Sequence, residues 1–171
     1  LAGIWVSSGS PIAAEICAGS GFDLVFVDME HSVNSLPTLA VQLQVLAAYS
    51  VTPVVRVPSN DAVLIKQVLD AGAQSIVVPM VSALAEAEAA VSAVRYPPRG
   101  VRGVGSALAR SARWGRQGHY LRDAERGIDL QRLIEGIGSP DVAAIAGPLL
   151  GAGAVPEAAY REALQARRQL Q

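Results

Sequence analysis

The sequence predicts an α/β protein, a (β/α) barrel of TIM type, on three observations. Short apolar runs rich in β-branched residues alternate with stretches of helical periodicity, the pattern of a parallel sheet with helices outside it. Polar and charged residues gather just after those apolar runs, where parallel α/β proteins place their ligands. No G-x-G-x-x-G and no phosphate loop follows any candidate strand, so a dinucleotide fold loses to a barrel.

Each element has its own signal. Gly3 to Ser8 reads as a strand ending in the hydroxyls of Ser7 and Ser8. Ser10 caps a helix that begins at Pro11 and is ended by Gly19 and Gly21. Asp23 opens the second strand, with Leu24, Val25, Phe26 and Val27 as its apolar run. Ser35 and Pro37 start a second helix with Leu39, Leu43 and Leu46 on one face. Pro53 to Val57 is the third strand. Asp61 caps a helix carrying Leu64, Ile65, Val68 and Leu69, closed by Gly72. Ser75 to Pro79 is the fourth strand, and Leu84, Ala87, Val91 and Val94 form the stripe of the fourth helix. Further on, Asp141 to Leu150 holds a fifth strand from Val142, and Glu157 to Arg168 a last helix. Five strands leave the barrel incomplete against the eight of a closed one.

Composition narrows the function classes. A chain of 171 residues is one domain's worth, 51% apolar and 17% charged, which argues against disorder. Aromatic residues are few, so Ala, Val, Leu and Ile must build the core. A net charge of −1 gives no global electrostatic case for nucleic acid or membrane. Cys17 is alone, which excludes an internal disulfide or a thiolate metal cluster. No basic-then-apolar leader opens the chain, which starts at Leu1, and the uncharged stretch from Val142 to Pro156 is too short and too broken to span a membrane. The expected setting is a reducing cytoplasm.

The chemistry concentrates at three strand ends. Asp28, Glu30 and His31 follow the second strand within four residues, and can supply metal ligation, proton transfer or the orientation of a base. The alternative is a polar loop in which Glu30 is solvated and His31 bonds backbone. Arg56 lies between Val55 and Val57, and burying a guanidinium there costs several kcal/mol unless an anion or carbonyl meets it. Either a bound anion or an ion pair with Asp28 or Glu30 satisfies that requirement.

The motifs G-I-W-V-S-S-G-S-P, A-G-S-G-F-D-L-V-F-V-D-M-E-H, P-V-V-R-V-P, L-D-A-G-A-Q-S-I-V-V-P-M-V and R-Y-P-P-R-G-V-R-G-V-G-S-A-L-A-R, continued by S-A-R-W-G, resemble the pyruvate-dependent class II aldolases of the HpcH/HpaI (citrate lyase-like) family. The likeness is close over residues 3–125 and degenerate over 133–168, within one aldolase-type domain spanning 1–171. It implies a (β/α)₈ barrel, usually assembled as a homo-oligomer. It also implies a carbon–carbon lyase that cleaves or forms 4-hydroxy-2-oxo acids, with a divalent metal (Mg, Mn or Co) assisting pyruvate enolate chemistry. By the same resemblance Arg56 contacts the pyruvate oxygens and steadies the enolate. His31 serves the proton relay at the substrate hydroxyl, and Asp70 orients it. Asp28 and Glu30 stand behind the metal waters. Asp70 ends a helix before a strand, so simple topology sends it to the opposite rim; the alternative is a helix-end carboxylate bonded to backbone or Lys66. Met29 and Ser59 depart from common family residues at positions that tune the substrate.

After Glu125 the likeness weakens at the metal ligands. The family's V-Q-x-E-type strand has no counterpart in Arg126-Gly127-Ile128-Asp129-Leu130, and Leu150 stands where a G-P-x-D aspartate is expected. Two functions follow: a metal-dependent aldolase impaired in this chain, or a non-catalytic, truncated aldolase homologue that acts only by self-association. Arg99, Arg102, Arg110, Arg113, Arg116, Arg122, Arg126 and Arg132 form a basic stretch in which Trp114 and Tyr120 are weak aromatic partners for nucleic acid. A solvated face, a subunit interface or an entrance for anionic substrate fits that stretch better. His119 has no ligand partner at metal spacing.

Overall fold

Strand and helix alternate four times along residues 2–124, the residues that the computed structural model describes. The order is β1 (Gly3–Val6), α1 (Pro11–Ala18), β2 (Leu24–Asp28), α2 (Leu36–Leu46), β3 (Thr52–Arg56), α3 (Ala62–Asp70), β4 (Ser75–Val77) and α4 (Leu84–Val94). A 3₁₀ turn at Arg110–Ala112 and the short α5 (Tyr120–Asp123) follow. The strand expected from Val142 and the helix expected over Glu157 to Arg168 lie outside the described residues.

The four strands form one parallel sheet in sequence order, β1-β2-β3-β4. Each neighbour is reached through a helix, the crossover that parallel pairing requires. The register runs Val6↔Val27, Val27↔Val55 and Asp28↔Arg56, with Arg56 in turn opposite Val77. Side chains alternate between faces along each strand. Val25, Val27, Val55 and Ile76 turn to the helices and meet Ala14, Leu39, Leu43, Leu46, Ile65, Val68 and Leu69 in one core. Burying each large aliphatic side chain contributes roughly 1.5–3 kcal/mol. The other face carries Trp5, Phe26, Asp28 and Arg56, with the Trp5 and Phe26 rings stacked at 4.8 Å.

Local chemistry sets the helix starts. Ser10 Oγ accepts the Ala13 N–H ahead of Pro11. Ser35 and Thr38 form a reciprocal capping box. Asp61 Oδ1 accepts the N–H groups of Val63 and Leu64, both at 2.8 Å. The α4 start lacks a capping side chain; the Glu86 carboxylate instead reaches back to the N–H groups of Ser82 and Ala83. Leu84 departs from the expected stripe. It is exposed at the first turn, and Ala87, Ala90, Val91, Ala93 and Val94 make the buried face.

Candidate functional site at the carboxyl ends of the strands

β2 and β3 end side by side, and their last residues are the register pair Asp28 and Arg56. Arg56 closes a two-bond fork on Asp28, Nε to Oδ1 at 2.8 Å and Nη2 to Oδ2 at 2.9 Å. Its Nη1 lies 3.2 Å from Glu30 Oε2, and its guanidinium carbon sits 4.6 Å from the centre of the Trp5 ring. All three charged side chains are about nine-tenths buried or more. Such a guanidinium is viable only because two carboxylates and an aromatic face surround it. Of the two ways to satisfy Arg56, the structure contains the ion pair, made with both acids.

Asp28 also organises the loop that follows it. Oδ1 accepts the backbone N–H of Glu30 at 3.0 Å and that of His31 at 3.4 Å, an Asx turn that fixes where both side chains leave the backbone. The Asp28 carbonyl accepts the Asn34 side-chain amide at 2.6 Å and the Ser32 hydroxyl. Asn34 reaches the Val6 carbonyl as well and is held by Gln42 of α2 at 2.6 Å. Burial alone would raise the Asp28 carboxyl. The Arg56 fork and the two N–H groups outweigh it and hold the group below its ordinary value.

His31 is the exposed member. Its side chain is 75% accessible, with Nε2 3.6 Å from Glu30 Oε1. Glu30 therefore stands between His31 and Arg56, one oxygen toward each. Asp70 is not brought to this group. It ends α3 at the amino-terminal rim and binds Arg102 Nη2 through Oδ1 at 2.8 Å. Neither of its simple alternatives, a backbone group or Lys66, is the partner found; Arg102 is. Ser7 and Ser8 are exposed, and Ser8 Oγ accepts the Ser10 N–H in the turn before α1.

A divalent cation does not fit this set as its sole ligands. Among the described residues no three His, Cys, Asp or Glu side chains form a group able to hold one. Both Asp28 oxygens already face Arg56, and each Glu30 oxygen faces Arg56 or His31. Leu150 and the stretch from Arg126 to Leu130 lie outside the described residues. No helix among the described residues is long and apolar enough to cross a membrane.

Sequence reasoning missed Trp5. Its signal was register: an aromatic at the alternation that puts Phe26 and Asp28 on one face, one strand over. It also missed Asn34 and Gln42, whose partners are backbone carbonyls and each other.

Comparison with known proteins places these features in context. The sequence profile of the HpcH/HpaI aldolase/citrate lyase family matches residues 1–143. The chain is 50% identical over 133 residues to the hydroxypyruvate/pyruvate aldolase of Deinococcus radiodurans, covering 78% of this chain and 48% of that protein. It is 52% identical over 122 residues to the 4-hydroxy-2-oxo-heptane-1,7-dioate aldolase of Klebsiella pneumoniae, covering 71% and 46%. The chain thus spans about half the length of the curated relatives it matches. Among solved structures, an HpcH/HpaI aldolase/citrate lyase family protein from Burkholderia cenocepacia J2315 gives a TM-score of 0.74 at 29% identity, covering 96% of this chain and 83% of that one. The citrate synthase SbnG gives 0.64 at 32% identity, over 75% and 48%.

Proposed function

The chain belongs to the HpcH/HpaI aldolase/citrate lyase family, and from that premise we propose that its carboxyl-rim site serves a carbon–carbon lyase acting on 4-hydroxy-2-oxo acids. The observation that carries the reading is the Arg56 guanidinium, fixed at the rim by Asp28, Glu30 and Trp5, with the open imidazole of His31 beside Glu30. The names of the relatives, pyruvate and hydroxy-oxo-dioate aldolases, support the substrate class.

Cleavage of such an acid requires a base at the hydroxyl and positive charge at the keto oxygen. The hydroxyl proton leaves, the aldehyde carbonyl forms, and the bond between the third and fourth carbons breaks. Its electron pair becomes the pyruvate enolate, whose charge rests on the keto oxygen until the third carbon is reprotonated. His31 takes the hydroxyl proton, directly or through a water, and Glu30 steadies the imidazole as it becomes positive. Arg56 presents a cation that needs no reorganisation when the enolate forms, because the Asp28 fork has set its plane beforehand. Asp70, held by Arg102 at the other rim, takes no part in these steps within one chain. A divalent cation of the family kind would supply further stabilisation of the enolate, but the described residues do not make its ligand set.

We read 1–171 as a single barrel-type domain, cytoplasmic in setting and self-associating. Ile12 and Ile16, one turn apart and exposed on α1, favour self-association.

Pyruvate release from a 4-hydroxy-2-oxo acid, with Mg²⁺, Mn²⁺ or Co²⁺ and with chelator, tests the proposal. With Leu150 in a ligand position, turnover at least about a thousandfold below an ordinary rate of roughly 10 s⁻¹ is expected, and His31→Ala should abolish it. Release that survives His31→Ala removes the site assignment. No release under any condition returns the non-catalytic reading. Rapid turnover lost to chelator assigns the cation to ligands beyond the residues described.

A further inference from the structure

The buried face of α2 has one polar member. A helix laid on a sheet is expected to bury aliphatic side chains, and Leu39, Leu43 and Leu46 do so. Gln42 lies among them with no exposed surface. Its Nε2 donates to Asn34 Oδ1 at 2.6 Å and to the Thr38 carbonyl at 3.3 Å, while its Oε1 has no hydrogen-bond partner among the described residues. An orphaned buried acceptor lowers stability, so packing alone would favour leucine or methionine at this position. What the glutamine adds is a donor aimed at Asn34.

Asn34 needs that donor. Its side-chain amide nitrogen donates to two carbonyls at strand ends, Val6 of β1 at 3.2 Å and Asp28 of β2 at 2.6 Å. Turned over, the amide would set its oxygen against those two carbonyl oxygens. The Gln42 N–H on Oδ1 therefore keeps Asn34 the right way round. The Asn34 backbone N–H donates to Ser32 Oγ at 3.0 Å, and the Ser32 hydroxyl donates to the same Asp28 carbonyl. Residues 28–34 are thus closed into a loop with Glu30 and His31 at its middle. Glu30 in turn reaches Arg56 at 3.2 Å and His31 at 3.6 Å.

We propose that Gln42 is a positioning residue of the carboxyl-rim site, holding Asn34 so that the loop from Asp28 to Asn34 presents Glu30 to Arg56 and His31 together. It is not a catalytic residue; it lies on α2 and acts through Asn34. Arg56 is set by the separate fork from Asp28, so loss of the Gln42 donor moves Glu30 and His31 and leaves the guanidinium in place. The consequence for turnover rests on the lyase reading: proton transfer at His31 suffers, and the hold of Arg56 on the pyruvate oxygens does not.

Gln42→Met, which nearly keeps the volume and removes the donor, is the test, with Gln44→Met on the exposed side of the same helix as control. Amide hydrogen exchange in the full chain should rise at least about tenfold at the Glu30 and His31 N–H groups, both held by Asp28 Oδ1. It should stay within about twofold at the Val57 N–H, bonded to the Val77 carbonyl. Gln44→Met should leave all three within about twofold. Asn34→Ala should give the pattern of Gln42→Met, and the double variant no more than Asn34→Ala alone, because Gln42 acts through Asn34. In pyruvate release, kcat of Gln42→Met should fall at least about tenfold with KM within about twofold. A rise shared equally by Val57 means general loosening of the fold and overturns the proposal. So does no rise at Glu30 and His31, an additive double variant, or a loosened loop with kcat unchanged. A parent chain that releases no pyruvate withdraws the lyase reading alone, and the exchange measurement then decides the positioning by itself.

Discussion

Asp28 and Arg56 are register partners at the ends of β2 and β3, and their side chains close a two-bond fork at 2.8 and 2.9 Å while about nine-tenths buried or more. The backbone ladder therefore positions the fork, and the fork ties the ladder's end. Removing one member strands a buried charge, which costs about 3–5 kcal/mol. Asp28→Asn is expected at the lower end of that range, because Glu30 still faces Nη1, and Arg56→Ala at the upper end. Arg56→Lys keeps the charge and loses the fork, so it should restore little. Urea unfolding measures all three. A cost under about 1 kcal/mol for Arg56→Ala would mean the pair is solvated and sets nothing.

The same fork predicts an acid limb in stability. The Asp28 carboxyl is held below its ordinary 3.8, so the folded chain binds fewer protons than the unfolded one between the two values. Its contribution is complete above about pH 4 and is lost as pH falls through the folded value. The N–H groups of Ser82 and Ala83 lower Glu86 as well, from an ordinary 4.5, which adds to the slope in a neighbouring window. Melting temperature followed from about pH 6 to about pH 2.5 should fall below about pH 4 in the parent chain. In Asp28→Asn the curve should start lower and fall less. Parallel acid limbs in the two proteins would assign the loss to other carboxylates.

What the sequence made legible divides by range. Ser10, Ser35 and Asp61 were readable as caps because a cap is a contact over two or three residues. The barrel-type alternation was readable because α2, α3 and α4 each bury an aliphatic face between β-branched runs. Arg56 announced a buried cation through its valine neighbours, yet only the register of β2 on β3 decides that Asp28 meets it, 28 residues away. Arg102 is the opposite case. By composition it belongs with seven other arginines, but contacts to Asp70 at 32 residues and Tyr120 at 18 make it wholly buried. Leu84 misled in its own way: its spacing fits the α4 stripe, but it sits where the helix begins and the core no longer reaches it.

A last prediction concerns the turn from α3 to β4. Gly72 has φ +110°, a region that residues with a Cβ rarely adopt, and an added Cβ would run into Arg110 Nη1. Arg110 donates there to the Ala71 carbonyl at 3.2 Å and to the Leu43 carbonyl at 3.4 Å, groups at the ends of α3 and α2 that have no helical partner. Gly72→Ala should therefore cost twice over, in backbone strain of about 1–3 kcal/mol and in displaced bonds to a charged donor of roughly 1.5–3 kcal/mol. Gly21 separates the two causes. It has φ +85° with nothing within 4 Å of where a methyl would stand, so Gly21→Ala carries strain alone, about 1 kcal/mol. The decisive comparison is Gly72→Ala in an Arg110→Ala background. There the displaced bonds are already gone, and the cost should drop toward that of Gly21→Ala. Urea unfolding of the four variants gives each term. An unchanged cost in the double variant would mean that Arg110 swings aside freely, and that strain at Gly72 is the whole effect.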